Sequence, residues 1–263
     1  MTGEGAAREG RVVDALGRRA LSVQFRRAQL LMPTFVLPLM LLAVITSGTS
    51  AAQGLRGFPD IGSYIGFIVP GTLLQGALLA GLTTGIALAS DIEFGFFDRL
   101  LAAPVHRTSL VLGRLAGTLC LSLLQSVFFL LVALIFGARY PGGVDAALAT
   151  VALAAITAVA IGGLSSAIAL RTGSLSLLQS IFPFVFVLLF TAPAFFPREL
   201  LTPALRAAAP YNPLTFVVEG VRALLQGNAA FGDPWAGVAA ATGLAIATIA
   251  LATLALKERL RTL

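Results

Sequence analysis

Six stretches of this chain, residues 31–49, 63–89, 115–136, 146–170, 175–196 and 237–256, run without a single Asp, Glu, Lys or Arg. Each is near the ~20 residues that an α-helix needs to cross the hydrocarbon of a bilayer. Only 11% of the 263 residues are charged and 57% are hydrophobic. A soluble domain carries about 25% charged residues, so this chain lacks the polar surface to fold in water. The expectation is an all-α polytopic membrane protein with six transmembrane helices. A signal peptide over 31–45 followed by TSGTSAA is a poor alternative, because about thirty polar residues precede it and cleavage would leave five spans.

Basic residues set the orientation. The segment before the first span carries Arg8, Arg11, Arg18, Arg19, Arg26 and Arg27. Arg99, Arg107, Arg114, Arg171, Lys257, Arg259 and Arg261 fall on the same side of an alternating layout. Arg56, Arg139, Arg198, Arg206 and Arg222 fall on the other. By the positive-inside rule both termini and the 91–114 segment are cytoplasmic. Arginines at span ends, rather than on one soluble face, also speak against a nucleic-acid partner despite the net charge of +6. Within residues 1–30, Leu21, Phe25 and Ala28 recur at helical spacing, with Arg18, Arg19, Arg26 and Arg27 on the other half of the wheel. Such a helix lies along the membrane surface; a disordered basic tail is the competing reading for 1–12.

Several chemistries are excluded. The single lysine, Lys257, is followed by Glu258, so there is no Gly-Lys-Ser/Thr phosphate loop. One histidine, His106, and one cysteine, Cys120, support neither a metal site nor a disulfide. Cys120 reads as a small core residue, and no residue reads as catalytic. Ion-driven transporters hold ionisable groups within their spans, and these spans have none. The polar residues inside them include Gln75, Thr83, Thr84, Ser122, Gln125, Ser126, Ser165, Ser166, Gln179 and Ser180. For any one of these, interhelical hydrogen bonding is the favoured role. Gly81 and Gly85, and Gly113 and Gly117, have the GxxxG spacing of close helix contacts, and GGLSSA at 162–167 reads as packing too.

The segment DIEFGFFDRLLAAPVHR, residues 91–107, interrupts the apolar pattern. On one helix from Asp91 to Ala103, Ile92, Phe96, Phe97, Leu100 and Leu101 form an apolar arc, with Asp91, Gly95, Asp98 and Arg99 opposite. Pro104 should stop that helix. Glu93 falls inside the arc, where a carboxylate must reach water, find an arginine or await a partner surface.

Residues 91–117 resemble the cytoplasmic loop of the type-2 ABC export permeases, which include drug-resistance, nodulation-factor and polysaccharide exporters. The match lies at Asp91, Glu93, Gly95, Asp98, Arg99, Leu100, Leu101, Pro104, Gly113 and Arg114, with a departure at Phe96. YNPLTFVVEGVRALLQG, residues 211–227, is similar to a second family segment through Asn212, Pro213, Glu219 and Arg222. With the six-span layout, the resemblance covers essentially all of 1–263 as one transmembrane domain.

The resemblance implies two permease copies, expected as a homodimer, with two separate ATPase subunits that bind ATP and Mg; this chain would bind no cofactor itself. It makes 91–107 the coupling loop, with Asp91, Glu93, Gly95, Asp98, Arg99, Leu100 and Pro104 as transmission contacts. The apolar arc would be the docking face. Arg18, Arg19, Arg26 and Arg27 would meet lipid headgroups or the ATPase edge. Residues 197–234 would form a re-entrant outer gate around Asn212, Pro213, Glu219 and Arg222, with Glu219 and Arg222 spaced to pair. Gln75, Gln179 and Ser180 are pathway candidates from polarity alone. Eighteen Phe against three Tyr and one Trp favour a hydrophobic or amphiphilic drug-like cargo. A lipid-linked glycan or polysaccharide, an ion-coupled drug transporter and a non-transporting membrane sensor are the other readings. The expected location is the bacterial inner membrane.

Overall fold

In the computed structural model, the residues described are 14, 15, 17, 18, 22, 28–49, 63–101 and 107–261. The described elements are helices: α1 Ala28–Thr49, α2 Tyr64–Glu93, α3 Phe96–Leu101, α4 Arg107–Ile135, α5 Gly143–Thr172, α6 Leu175–Thr191, α7 Pro203–Ala208, α8 Pro213–Gln226 and α9 Pro234–Arg259. Among them, α1, α2, α4, α5 and α9 are long and apolar enough to cross a membrane. Helix α6 has 17 residues and falls just short of that length, so five candidate spans stand where six were expected. The far part of the expected fifth stretch, 192–196, leaves the helix after Thr191.

Helix α2 is the axis of the bundle. It touches α1, α4, α5, α6 and α8, while α9 packs on α5 and α8. An apolar helix buried on every side suits this place, and nearly all of α2 is buried. Apolar transfer from water does not drive helix association in lipid, so close backbone approach must contribute instead. A Cβ added at Gly81 would stand 2.7 Å from Ala158 O and 2.8 Å from Gly162 N of α5. Ser165 Oγ, from the same small-residue stretch, donates to Gly81 O at 2.8 Å. The GxxxG of α2 and GGLSSA of α5 are therefore two halves of one contact. Gly17, from the N-terminal segment, sits on Gly113–Gly117, with Gly113 O 3.5 Å from where its Cβ would be.

Four of the ten mid-span polar residues, Thr84, Ser122, Gln125 and Ser165, bond across helices, whereas Thr83 and Ser180 bond their own. Thr84 and Thr118 hydroxyls meet at 2.5 Å. Gln125 Nε2 donates to Thr34 O at 3.0 Å. That carbonyl lies four residues before Pro38, which lies inside α1 and has no N–H to give it. A side chain from the neighbouring helix thus satisfies a backbone group freed by proline, as the bilayer interior demands. Cys120 departs from expectation: it is exposed on α4 rather than in the core.

Candidate functional site

Helix α2 continues through Asp91 and Ile92 to Glu93 before it stops. Phe94 N donates to Ser90 O and Gly95 N to Ile92 O, both at 3.0 Å. Gly95 has φ +70°, a left-handed conformation that ends a helix at little cost only in glycine. A second helix, α3, then covers six residues. The expected single helix from Asp91 to Ala103 is therefore corrected to an elbow, with Gly95 as the corner. Pro104, its expected stop, lies outside the described residues, as do Arg19, Arg26 and Arg27.

The elbow turns its apolar side inward. Ile92 and Phe97 are buried in a cluster with Leu88, Leu110, Leu170, Leu178 and Leu256, and Leu100 and Leu101 pack against it. The apolar arc read from the sequence is thus the face that seats α3 on its own chain, not a free docking face. Apolar side chains take the nearest apolar surface, and four helix ends supply it here. Exposed on the outer side are Phe94, Asp98 and Arg99, with Phe94 at 78%. Among the described residues, Asp98 and Arg99 make no ion pair.

The remaining acids of the elbow are engaged internally. Asp91 pairs with Arg114 of α4 at 2.5 Å, both largely shielded. Glu93 is exposed and its Oε2 accepts the backbone N–H of Leu175 at 3.2 Å. Leu175 is the first residue of α6, and Ser174 Oγ accepts from Leu177 N at 3.3 Å. A helix start leaves four N–H groups without intrahelical partners. Two of those in α6 are met, one of them by a carboxylate from the end of α2, where the helix dipole favours negative charge. This resolves the misplaced acid on the wheel: Glu93 finds a neighbouring helix start.

At the opposite end of the bundle, residues 197–234 are mostly helical and include α7 and α8. Asn212 caps α8 by accepting from Leu214 N at 2.9 Å, with Pro213 at the first helical position. Its Nδ2 donates to Leu188 O at 2.7 Å and to Thr191 Oγ1 at 2.9 Å, tying α8 to the end of α6. The expected Glu219–Arg222 pair is not formed. Glu219 instead pairs with Arg198 at 2.6 Å. Arg222, 3% exposed, donates to Pro193 O at 2.8 Å, Ala194 O at 3.0 Å and Phe67 O at 3.4 Å. Its guanidinium also lies 4.1 Å from the centre of the Phe67 ring. Spacing along α8 permitted the pair, but the turn after α6 offers two carbonyls that one guanidinium reaches together. Sequence reading missed Arg198, which had entered only the count of basic residues.

The three pathway candidates are not brought together. Gln75 is buried at a narrow crevice with Leu78, Leu79, Val185, Phe186 and Leu189, and its Oε1 has no partner. Gln179 and Ser180 are exposed nearer the start of α6. Ser180 Oγ bonds its own helix at Ser176 O. Arg18, the one described member of the arginine set, is exposed and pairs with Asp14 at 3.0 Å.

The architecture defines an all-α polytopic membrane protein. The chain belongs to the ABC-2 type transporter family, which matches residues 11–225. It is 31% identical over 212 residues to a transport permease named ycf38 of Porphyra purpurea, covering 80% of this chain and 72% of that one. It is 23% identical to the daunorubicin resistance ABC transporter permease protein DrrB1 of Streptomyces coeruleorubidus, over 65% of this chain and 60% of the relative. It is 21% identical to a doxorubicin resistance ABC transporter permease protein, DrrC, of Mycobacterium tuberculosis, over 61% and 58% respectively. The chain is thus a permease subunit of an ABC transporter. Membership implies an ABC ATPase partner, in keeping with a transport subunit that carries no ATPase site of its own.

Proposed function

We propose that the chain forms the translocation path of an ATP-driven exporter for a hydrophobic or amphiphilic drug-like molecule. It works as a homodimer with two ATPase subunits in the bacterial cytoplasmic membrane, with both termini on the cytoplasmic side. ATP and Mg bind to the ATPase subunits, and this chain holds no cofactor. The observation that carries this reading is the elbow. Among the described residues, Phe94, Asp98 and Arg99 are exposed and the last two unpaired, while Asp91, Ile92, Glu93, Phe97, Leu100 and Leu101 are fastened to the bundle.

Asp98 and Arg99 are the ATPase contacts, and Gly95, Leu100 and Phe97 fix their aim. Asp91 and Glu93 pass displacement of the elbow to α4 and α6 through Arg114 and the Leu175 N–H. Pro104 closes the loop. The N-terminal arginines, Arg18, Arg19, Arg26 and Arg27, meet headgroups or the ATPase edge. Asn212, Pro213, Glu219 and Arg222 brace the outer gate over the ends of α6 and α2. Gln75 of α2, and separately Gln179 and Ser180 near the start of α6, offer hydrogen bonds to a cargo that is otherwise met by apolar walls. The names of the daunorubicin and doxorubicin relatives support the cargo class.

The test is reconstitution with the cognate ATPase in liposomes, following export of an anthracycline-type amphiphile. Transport should need ATP and survive collapse of ion gradients. Arg99→Ala should abolish it while leaving the purified permease as stable as wild type. Export that runs on a proton gradient without ATP would overturn the reading.

A further inference from the structure

The cations at the elbow end of the bundle are not all used inside the chain. Arg114 holds Asp91, Arg171 holds Glu258 at 3.0 Å, and Arg259 donates to Leu170 O at 3.1 Å. Lys257 and Arg261, by contrast, have no hydrogen bond or ion pair among the described residues. Lys257 lies in the last turn of α9 and Arg261 two residues past its end. With Leu256, Leu260, Thr253 and Thr108 they line a cleft of about 270 Å³ between the end of α9 and the start of α4. Its lining residues include no acid. At ~30 Å³ per water, that space would hold about nine waters, which is ample for a phosphate with a small alcohol attached.

We propose that this cleft binds the phosphate headgroup of an anionic phospholipid. Lys257 and Arg261 supply two cations to the phosphate oxygens. Thr108 adds a hydroxyl in the first turn of α4, where the helix dipole is positive. The Thr253 hydroxyl already donates to Ala250 O at 2.8 Å, so its oxygen is left to accept from a headgroup hydroxyl, as phosphatidylglycerol offers. Leu256 and Leu260 form the apolar floor on which the glycerol and first methylenes rest. Because both walls are helices of membrane-crossing length, the cleft opens at the level of a bilayer surface, where a lipid arrives head and chain together. Binding there clamps α9 to α4 next to the elbow, making the coupling region sensitive to lipid charge.

The full chain, delipidated in a neutral detergent, should show a rise in melting temperature on adding phosphatidylglycerol and none on adding phosphatidylcholine. Lys257→Gln with Arg261→Gln should weaken the apparent phosphatidylglycerol affinity about ten- to thirtyfold, the effect of two surface cations on an anionic headgroup. The double variant should melt as wild type does without lipid. Arg139→Gln, at the other end of the bundle, should leave the affinity unchanged. Equal lipid affinity in wild type and double variant would overturn the site. Equal stabilisation by inorganic phosphate or soluble glycerol phosphate would overturn the lipid in favour of a free phosphate ligand.

Discussion

Glu93→Ala removes the carboxylate that meets the first N–H of α6, and its effect can be worked from the geometry. Losing a capping acceptor costs ~0.5–2 kcal/mol, and losing a charge at a helix start costs ~0.3–1 kcal/mol. Glu93 is exposed and the bond is 3.2 Å long, so water replaces part of it and the lower half of the range applies. About 0.5–1 kcal/mol corresponds to a two- to fivefold shift in the opening of the first turn of α6. Hydrogen–deuterium exchange on the purified permease would read this directly. Amides 175–178 should exchange two- to fivefold faster in Glu93→Ala, with the rest of α6 and the overall melting temperature unchanged. Glu93→Gln keeps the acceptor oxygen but not the charge and should fall between the two. Arg99→Ala should leave these amides alone yet weaken capture of the ATPase. Unchanged exchange at Leu175 in Glu93→Ala would refute the cap. The same result in Arg99→Ala and Glu93→Ala would refute the division between docking and transmission.

Three further outcomes follow from packing. Arg222→Met strands the carbonyls of Pro193 and Ala194, and at ~1–3 kcal/mol per unsatisfied group the variant should lose about 2 kcal/mol or more, seen as a sharply lowered melting temperature. Arg222→Lys should be intermediate, since an ammonium cannot fork to several carbonyls as a guanidinium does. Gln125→Leu should destabilise by ~1 kcal/mol. In a Pro38→Ala background that cost should largely vanish, because residue 38 then supplies the N–H that Thr34 O lacks, and a double-mutant cycle in a chemical unfolding series measures the coupling. Gly85→Val places a Cβ 2.5 Å from Ser165 Cβ and 2.7 Å from the Ser165 backbone, so α2 must part from α5, costing ~1–3 kcal/mol and lowering the yield of folded protein in the membrane.

The bilayer made much of this protein legible in its residues. A membrane helix must be apolar over its whole length, so the positions of α1, α2, α4, α5 and α9 follow from composition alone. The GxxxG pairs and GGLSSA announced close packing because only small side chains let backbones approach. The charged stretch at 91–107 announced itself by contrast with its apolar flanks, and its motif carried the family.

What the sequence left open was decided where helix ends meet. A helical wheel treats 91–103 as one element and cannot know that Gly95 turns the chain, so it assigned Phe97, Leu100 and Leu101 to a partner when the protein's own core takes them. Spacing allowed Glu219 to bond Arg222, yet Arg198 arrived from 21 residues away and Arg222 went to carbonyls freed by the turn after α6. Glu93 bonds across 82 residues to the start of α6. Among the described residues Lys257 and Arg261 stay unpaired, and no acid lines their cleft. Hydropathy and period are properties of a segment, whereas the partner of a polar end group is a property of the neighbours that folding brings to it. The sequence alone therefore defined an all-α membrane permease, and the tertiary structure chose which of its charges are fasteners and which face outward.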